Sequence, residues 1–226
     1  MSVGALLLCA GRGERLGAGV SKALAPLAGR PLFTWSLETL QRSSAIEGIV
    51  VVGPVRQAQD LLAASGIEPA KIVGWSEGGR ERQQSVARGL AALPERFTTV
   101  AIHDCARALV SGDLVARVVG DALRFGAAIA AVPLEDTLKR GTLDTIETTV
   151  PRQGLYRAQT PQAFRRDWLT AAHASARTAA TDDSALVEAL GHPVHLTPGD
   201  PLNLKITTPL DLELAEAWLS AHPVRP

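Results

Sequence analysis

The sequence predicts an α/β fold: one open, mostly parallel, twisted sheet with helices on both faces. Strand-like and helix-like runs alternate from residue 3 to residue 132, the rhythm of βαβ units. The first run, Val3 to Leu8, is continuously apolar, as a strand covered on both faces must be. It leads directly into a glycine-rich loop, Cys9 to Lys22, at the carboxyl end of a strand, where such sheets bind ligands.

Each element follows from local pattern. Pro31–Gln41 reads as a helix, with its proline where a missing N–H costs little. Ile46–Val52 is a second strand. Val55–Ala64 is a helix ending near Gly66, and Lys71–Val73 a short third strand. Glu81–Leu93 carries Val86, Leu90 and Leu93 at helical spacing, with Pro94 just past its end. Thr99–His103 is a fourth strand, Asp113–Phe125 a helix, and Ala127–Val132 a fifth strand. The rhythm breaks after Pro133. Asp136–Leu138 reads as a short strand, and Lys139–Val150 is rich in threonine with a turn near Gly141, which suits a hairpin. It holds too few apolar residues for a core of its own, so it is either a protruding β-arm that reaches a partner subunit or a solvated flap. Pro161–Ala176 reads as a helix. Asp182–Leu190 is another, capped from Thr181-Asp182-Asp183. Val194–Leu196 and Leu202–Ile206 read as strands, and Thr208–Ala221 as a closing amphipathic helix with Leu212, Ala215 and Leu219 inward. The whole chain, 1–226, reads as one domain, with the arm at about 137–158.

Composition narrows the function classes. The 23 basic and 23 acidic residues balance, which disfavours nucleic acid or a membrane surface as the main partner. Cys9 and Cys105 make no metal-ligand pattern, and a reduced, cytoplasmic protein is the expectation. The N-terminus shows no basic region ahead of its apolar run, so no signal peptide is expected. No apolar stretch reaches the roughly 18 residues of a membrane-spanning helix.

The first loop holds four glycines, two arginines and one lysine. Glycines let backbone N–H groups approach an anion without a Cβ in the way, and Arg15 and Lys22 add mobile cations. The loop therefore reads as a cradle for the triphosphate of a nucleotide. Gly11-Arg12-Gly13-Glu14-Arg15-Leu16-Gly17 is not the GxGxxG fingerprint, and Ile49–Gly53 carries no acidic residue, so a nicotinamide site is disfavoured. The P-loop pattern is absent too. Gly78-Gly79 precede a helix and give a base or phosphate close approach to its N-terminus; Ser85 bonds either the backbone or a ligand. Asp104 and Arg107 follow the fourth strand. Asp104 accepts from a ligand hydroxyl, orients a metal, or pairs locally with Arg107. His103 reads as a packed residue. Lys205, in a strand-like run, meets a ligand or lies at a sheet edge.

The ordered set of motifs resembles the 2-C-methyl-D-erythritol 4-phosphate cytidylyltransferase family nearly end to end. It comprises Ala10–Gly17, Gly79–Val86, Ile102–Arg107, Val132–Thr137, Ala158–Phe164, Thr181–Ser184 and Asn203–Thr207. The resemblance implies a Rossmann-like nucleotidyltransferase domain. It implies CTP near Ala10, Gly11, Gly13, Gly79 and Ser85, with Mg²⁺ carried mainly by the phosphates and no protein metal ligand. Arg15 and Lys22 match catalytic positions, and Asp104, Arg107 and Lys205 match the polyol-phosphate pocket. Thr137 and Arg152 match residues that a homodimer delivers through the arm. Ser21-Lys22-Ala23 stands where the family shows Pro-Lys-Gln, and Cys105 and Ala108 where it shows alanine and proline; the charged groups keep their places. A ribitol 5-phosphate cytidylyltransferase and a non-catalytic nucleotide-binding module on the same fold are the alternative readings.

Overall fold

The computed structural model describes residues 2–11, 22–178 and 180–222. The chain runs through β1 (Val3–Leu8), a 3₁₀ turn at Lys22–Leu24, the short β2 (Pro26–Leu27) and β3 (Arg30–Pro31), α1 (Leu32–Arg42), β4 (Gly48–Val52), α2 (Val55–Ser65) and β5 (Ile72–Ser76). It continues through α3 (Arg82–Ala92), β6 (Thr99–Asp104), α4 (Gly112–Phe125), β7 (Ala127–Pro133), β8 (Leu138–Gly141), β9 (Ile146–Val150) and β10 (Tyr156–Arg165). It closes with α5 (Arg166–Ser175), α6 (Asp183–Ala189), β11 (His195–Pro198) and α7 (Pro209–Ala221).

The main sheet has the order β11-β7-β10-β6-β1-β4-β5. β1 lies between β4 and β6, parallel to both, with Leu8 opposite Val52 on one side and Asp104 on the other. β1 is buried along its whole length, and its side chains alternate between two cores. Ala5 and Leu7 pack with residues of α1, α2, α4 and α7. Leu6 and Leu8 pack with residues of α3, α5 and α6. This two-sided covering is why the strand reads as an unbroken apolar run. Helix ends follow their local chemistry. α2 stops at Gly66, which takes the left-handed conformation (φ 69°). The Asp182 carboxylate accepts the Ala185 N–H at the start of α6, and Thr208 with Asp211 forms a capping box on α7.

Three expectations fail. Pro161–Ala176 is not one helix: β10 occupies Tyr156–Arg165, and α5 begins at Arg166. β10 runs antiparallel between β6 and β7, with a register shift between Ala158 and Gln162. Ala163 and Phe164 are both fully buried on opposite faces, so the segment satisfies two cores at once, which a surface helix cannot do. Leu202–Ile206 is not a strand. Its backbone groups bond elsewhere, Asn203 N–H to the Asp200 carbonyl and Ile206 N–H to that of Ala106. Asp136–Leu138 is not a strand either; pairing begins at Leu138, which faces Val150 in the two-stranded arm β8–β9.

Phe164 fills the second core from the strand that joins both halves of the sheet. Phe164→Ala should cost about 3–5 kcal/mol, read as a lower urea midpoint at unchanged slope; a loss below about 1 kcal/mol would show that β10 packs otherwise.

Candidate active site

The chain crosses from β1 to β4 on one side and later reaches β6 on the other. The switch point therefore lies at the carboxyl ends of β1 and β6, where ligands bind in such sheets. Ala10 and Gly11 leave β1 there. The loop ahead of α3 packs against them: a Cβ on Gly78 would overlap the Ala10 side chain, so this glycine is what lets the two loops touch. The Ser85 hydroxyl is buried and committed to loop shape, accepting from Gly79 N–H at 2.9 Å and donating to the Glu81 carbonyl at 3.1 Å. The bond to the backbone, one of the two readings for Ser85, is formed. Arg80 N–H donates to Gln84 Oε1 at 3.0 Å. α3 opens from this loop with no acidic residue in its first turn, which leaves its positive end available to an anion.

Asp104 closes β6 and is the centre of a charged cluster. Lys205 Nζ donates to Oδ2 at 2.7 Å, and Arg82 Nε to Oδ1 at 3.3 Å. Burial alone raises a carboxyl pKa, but these two cations outweigh it and hold Asp104 far below the usual carboxylate range. Arg107 takes no part in that pair. Its guanidinium donates to the carbonyls of Asn203 at 2.7 Å and Ala158 at 3.2 Å, so the expected local Asp104–Arg107 pairing is not the one formed. Arg107 instead clamps the segment that carries Lys205. That segment is further held by Gln159, whose amide donates to the Asp200 carbonyl and accepts the Asp200 N–H. Asn203 Nδ2 donates to the Thr160 carbonyl at 2.8 Å. Lys205 thus reaches the site from an irregular, tightly bonded segment, not from a sheet edge.

Behind Asp104 sits His103, fully buried. Asp104 N–H donates to Thr160 Oγ1 at 3.0 Å, and the Thr160 hydroxyl in turn donates to His103 Nδ1 at 3.1 Å. The other ring nitrogen then carries the proton and donates to the Arg107 carbonyl at 3.3 Å. Burial drives the His103 pKa down to about 4, with Arg107 opposing the help of Asp104. His103 is a neutral structural link, as its packed reading anticipates.

Arg12, Gly13, Arg15 and Ser21 lie outside the described residues, and of Lys22 only the main chain is described, at the start of the 3₁₀ turn. Thr137 and Arg152 are exposed at the base of the arm. Arg152 donates to the Glu135 carbonyl, and among the hydrogen bonds of the described residues neither side chain reaches the Asp104 cluster. Asp104, Arg107 and Lys205 are brought together, beside Ala10, Gly11 and the Gly79 loop. Arg82, Asp183, Gln159 and Asn203 gain parts that residue-by-residue reading did not give them, although each lies within a motif of the resemblance. His173, which bonds Asp183, carries no sequence signal at all.

No group of three potential metal ligands occurs among the described residues, and both Asp104 oxygens are already taken by cations, so these side chains build no cage for Mg²⁺.

An open α/β sheet with a glycine loop and an acid–cation cluster at its switch point defines a protein that handles a nucleotide and a second anionic substrate. The family model for 2-C-methyl-D-erythritol 4-phosphate cytidylyltransferase matches residues 3–221. The enzyme of that name from Gloeobacter violaceus is 45% identical over 223 residues, 96% of this chain and 96% of that protein. That from Prochlorococcus marinus is 44% identical over 222 residues, 95% and 97% respectively. The crystal structure of the Thermus thermophilus protein superposes with a TM-score of 0.78 at 38% identity, covering 97% of this chain and all of that one. The chain belongs to the 2-C-methyl-D-erythritol 4-phosphate cytidylyltransferase family.

The folded-state pKa of His103 lies below the ordinary value of 6.5. The unfolded chain therefore binds this proton first as pH falls, and stability is lost between about 6.5 and about 4. Nitrogen chemical shifts should show His103 as neutral imidazole, protonated at Nε2, at pH 5.5; an imidazolium there would refute the hydrogen-bond chain through Thr160.

Proposed function

We propose that this chain transfers CMP from CTP to 2-C-methyl-D-erythritol 4-phosphate, giving 4-diphosphocytidyl-2-C-methyl-D-erythritol and pyrophosphate. The observation that carries the reading is the family match from residue 3 to residue 221. The bonded cluster of Asp104 and Lys205 at the switch point agrees with it. The chemistry suits these residues. A phosphomonoester, with a second pKa of about 6, is already largely dianionic at neutral pH and needs no general base. Its oxygen attacks the α-phosphorus in line, the bond to the bridging oxygen breaks, and pyrophosphate leaves. The protein's task is positioning and charge stabilisation.

In this reading Ala10, Gly11, Gly13, Gly79 and Ser85 line the nucleotide. Arg15 and Lys22 meet the charge that builds on the α-phosphate and the leaving group. Asp104, held ionised, accepts from polyol hydroxyls. The Lys205 ammonium, on a side chain 44% exposed, turns to the substrate phosphate, while Arg107 sets the segment that carries it. Any Mg²⁺ comes with the nucleotide's phosphates. The arm supplies the rest. Among the described residues β8 and β9 pair only with each other, and Leu143 in the turn between them and Ile146 on β9 are exposed. A homodimer covers these residues and brings the partner subunit's Thr137 and the partner subunit's Arg152 to the polyol phosphate. Among the described residues no helix is long and apolar enough to cross a membrane; a cytoplasmic location follows from the use of CTP.

Purified protein given CTP, Mg²⁺ and methylerythritol phosphate should release pyrophosphate. Release with ribitol 5-phosphate alone would transfer the assignment to that substrate, and nucleotide binding with no release from either would favour a non-catalytic module. Lys22→Ala should lower kcat by about 10²–10³ with the fold intact by circular dichroism; an unchanged kcat would refute its role. Sedimentation should give a dimer, and a monomer that remains fully active would remove Thr137 and Arg152 from the site.

A further inference from the structure

Three residues outside the assigned site form a continuous hydrogen-bonded strut behind Asp104. Arg82, the first residue of α3, bonds Asp104 through Nε and Asp183 through Nη1 at 2.6 Å. Asp183, the first residue of α6, also meets Nε2 of His173, on α5, at 2.9 Å. The strut is buried at its far end: the side chains of Asp183 and His173 are 1% and 6% exposed. Burial works against the charge on Arg82, but Asp183 and Asp104 outweigh it and raise its pKa, so the guanidinium is permanently cationic.

Such a strut is poorly explained by stability. Buried ion pairs contribute little next to an apolar core of the same volume, and this one crosses a face otherwise packed with Val86, Leu90, Leu169, Leu186 and Val187. What it does provide is a fixed anchor for one carboxylate oxygen. The two cations on Asp104 are not equivalent. Lys205 is the more exposed, at 44% against 27% for Arg82, and pairs with no second anion among the described residues; Arg82 is tied to Asp183 behind it. A substrate phosphate can draw Lys205 away, whereas Arg82 stays.

We propose that Arg82 is a positioning residue, braced by Asp183 and His173, that fixes the Asp104 carboxylate for the polyol phosphate once Lys205 has turned to the phosphate. The inference rests on the cytidylyltransferase reading. Arg82 acts through Asp104 and not on the nucleotide. Removing it loosens Asp104, weakens the polyol phosphate and leaves CTP largely alone.

The test is steady-state kinetics with pyrophosphate detection on the full-length protein. Arg82→Gln should raise the KM for methylerythritol phosphate by about tenfold while the KM for CTP changes by less than about threefold. Arg82→Lys, which keeps the charge but loses the fork, should recover only part of this. Asp183→Asn should give the same split in weaker form. The deciding comparison is Arg82→Gln in an Asp104→Asn background, where the strut has nothing left to hold and should add no further loss. Additive losses, equal rises in both KM values, or no change in either would overturn the proposal. If Arg82→Gln does not fold, Asp183→Asn with and without Asp104→Asn makes the same comparison. Wild-type turnover separates the two levels. A wild type that releases no pyrophosphate sinks the reaction and the positioning role together, whereas an active wild type with additive variants sinks only the positioning role.

Discussion

The Asp104 carboxylate, taken out of water at the end of β6 and shared between two cations, is the constraint on which the rest of the site depends. An isolated carboxylate in that position would be protonated or would keep the pocket open to solvent. Lys205 and Arg82 prevent both, Lys205 delivered from far along the chain and Arg82 from the neighbouring α3. The elements that deliver them explain much of the local structure. Arg107, Gln159 and Asn203 commit their polar groups to the segment around Lys205. Asp183 and His173 commit theirs to Arg82. The electrostatic demand at one atom pair is thus distributed over bonds made by β10, α5, α6 and the turn after β6.

The two halves of the site are held by different physics. Beside β1, shape dominates. Gly78 admits Ala10, and the Ser85 and Gln84 side chains tie down the loop ahead of α3. Contacts there are short-range and mostly to backbone. Beside β6, charge dominates, and the bonds span about a hundred residues of sequence, from Asp104 to Lys205 and from Arg82 to Asp183.

Most of the fold was legible because the sheet is covered on both faces. The runs Val3–Leu8 and Ala127–Val132 leave little choice, and α4 reads cleanly from Leu114, Val118 and Leu123. Legibility ended where an element serves two masters. Pro161–Phe164 looks like the start of a helix because local propensity does not register that β6 and β7 both need a neighbour. Leu202–Ile206 looks like a strand because its apolar alternation is real, yet its backbone groups are claimed by Ala106 and Asp200. At the site, Asp104, Arg107 and Lys205 stood out as charges in apolar surroundings. Arg82 did not, since a basic residue at the start of a helix looks solvated until Asp183 is placed against it. His173 was invisible, because nothing in its own stretch of α5 marks it as facing an acid on α6.

The position of β10 also sets an order of assembly during synthesis. Once α4 has emerged from the ribosome, β1, β4, β5 and β6 can pair, and Ala10 can meet the loop ahead of α3, from residues already made. The Asp104 side cannot. Its floor waits for Thr160 to reach Asp104 and His103, and its outer wall for Asn203 to reach Thr160. A nascent chain can therefore complete the contact beside β1 well before the charged cluster beside β6, which needs the chain through Lys205.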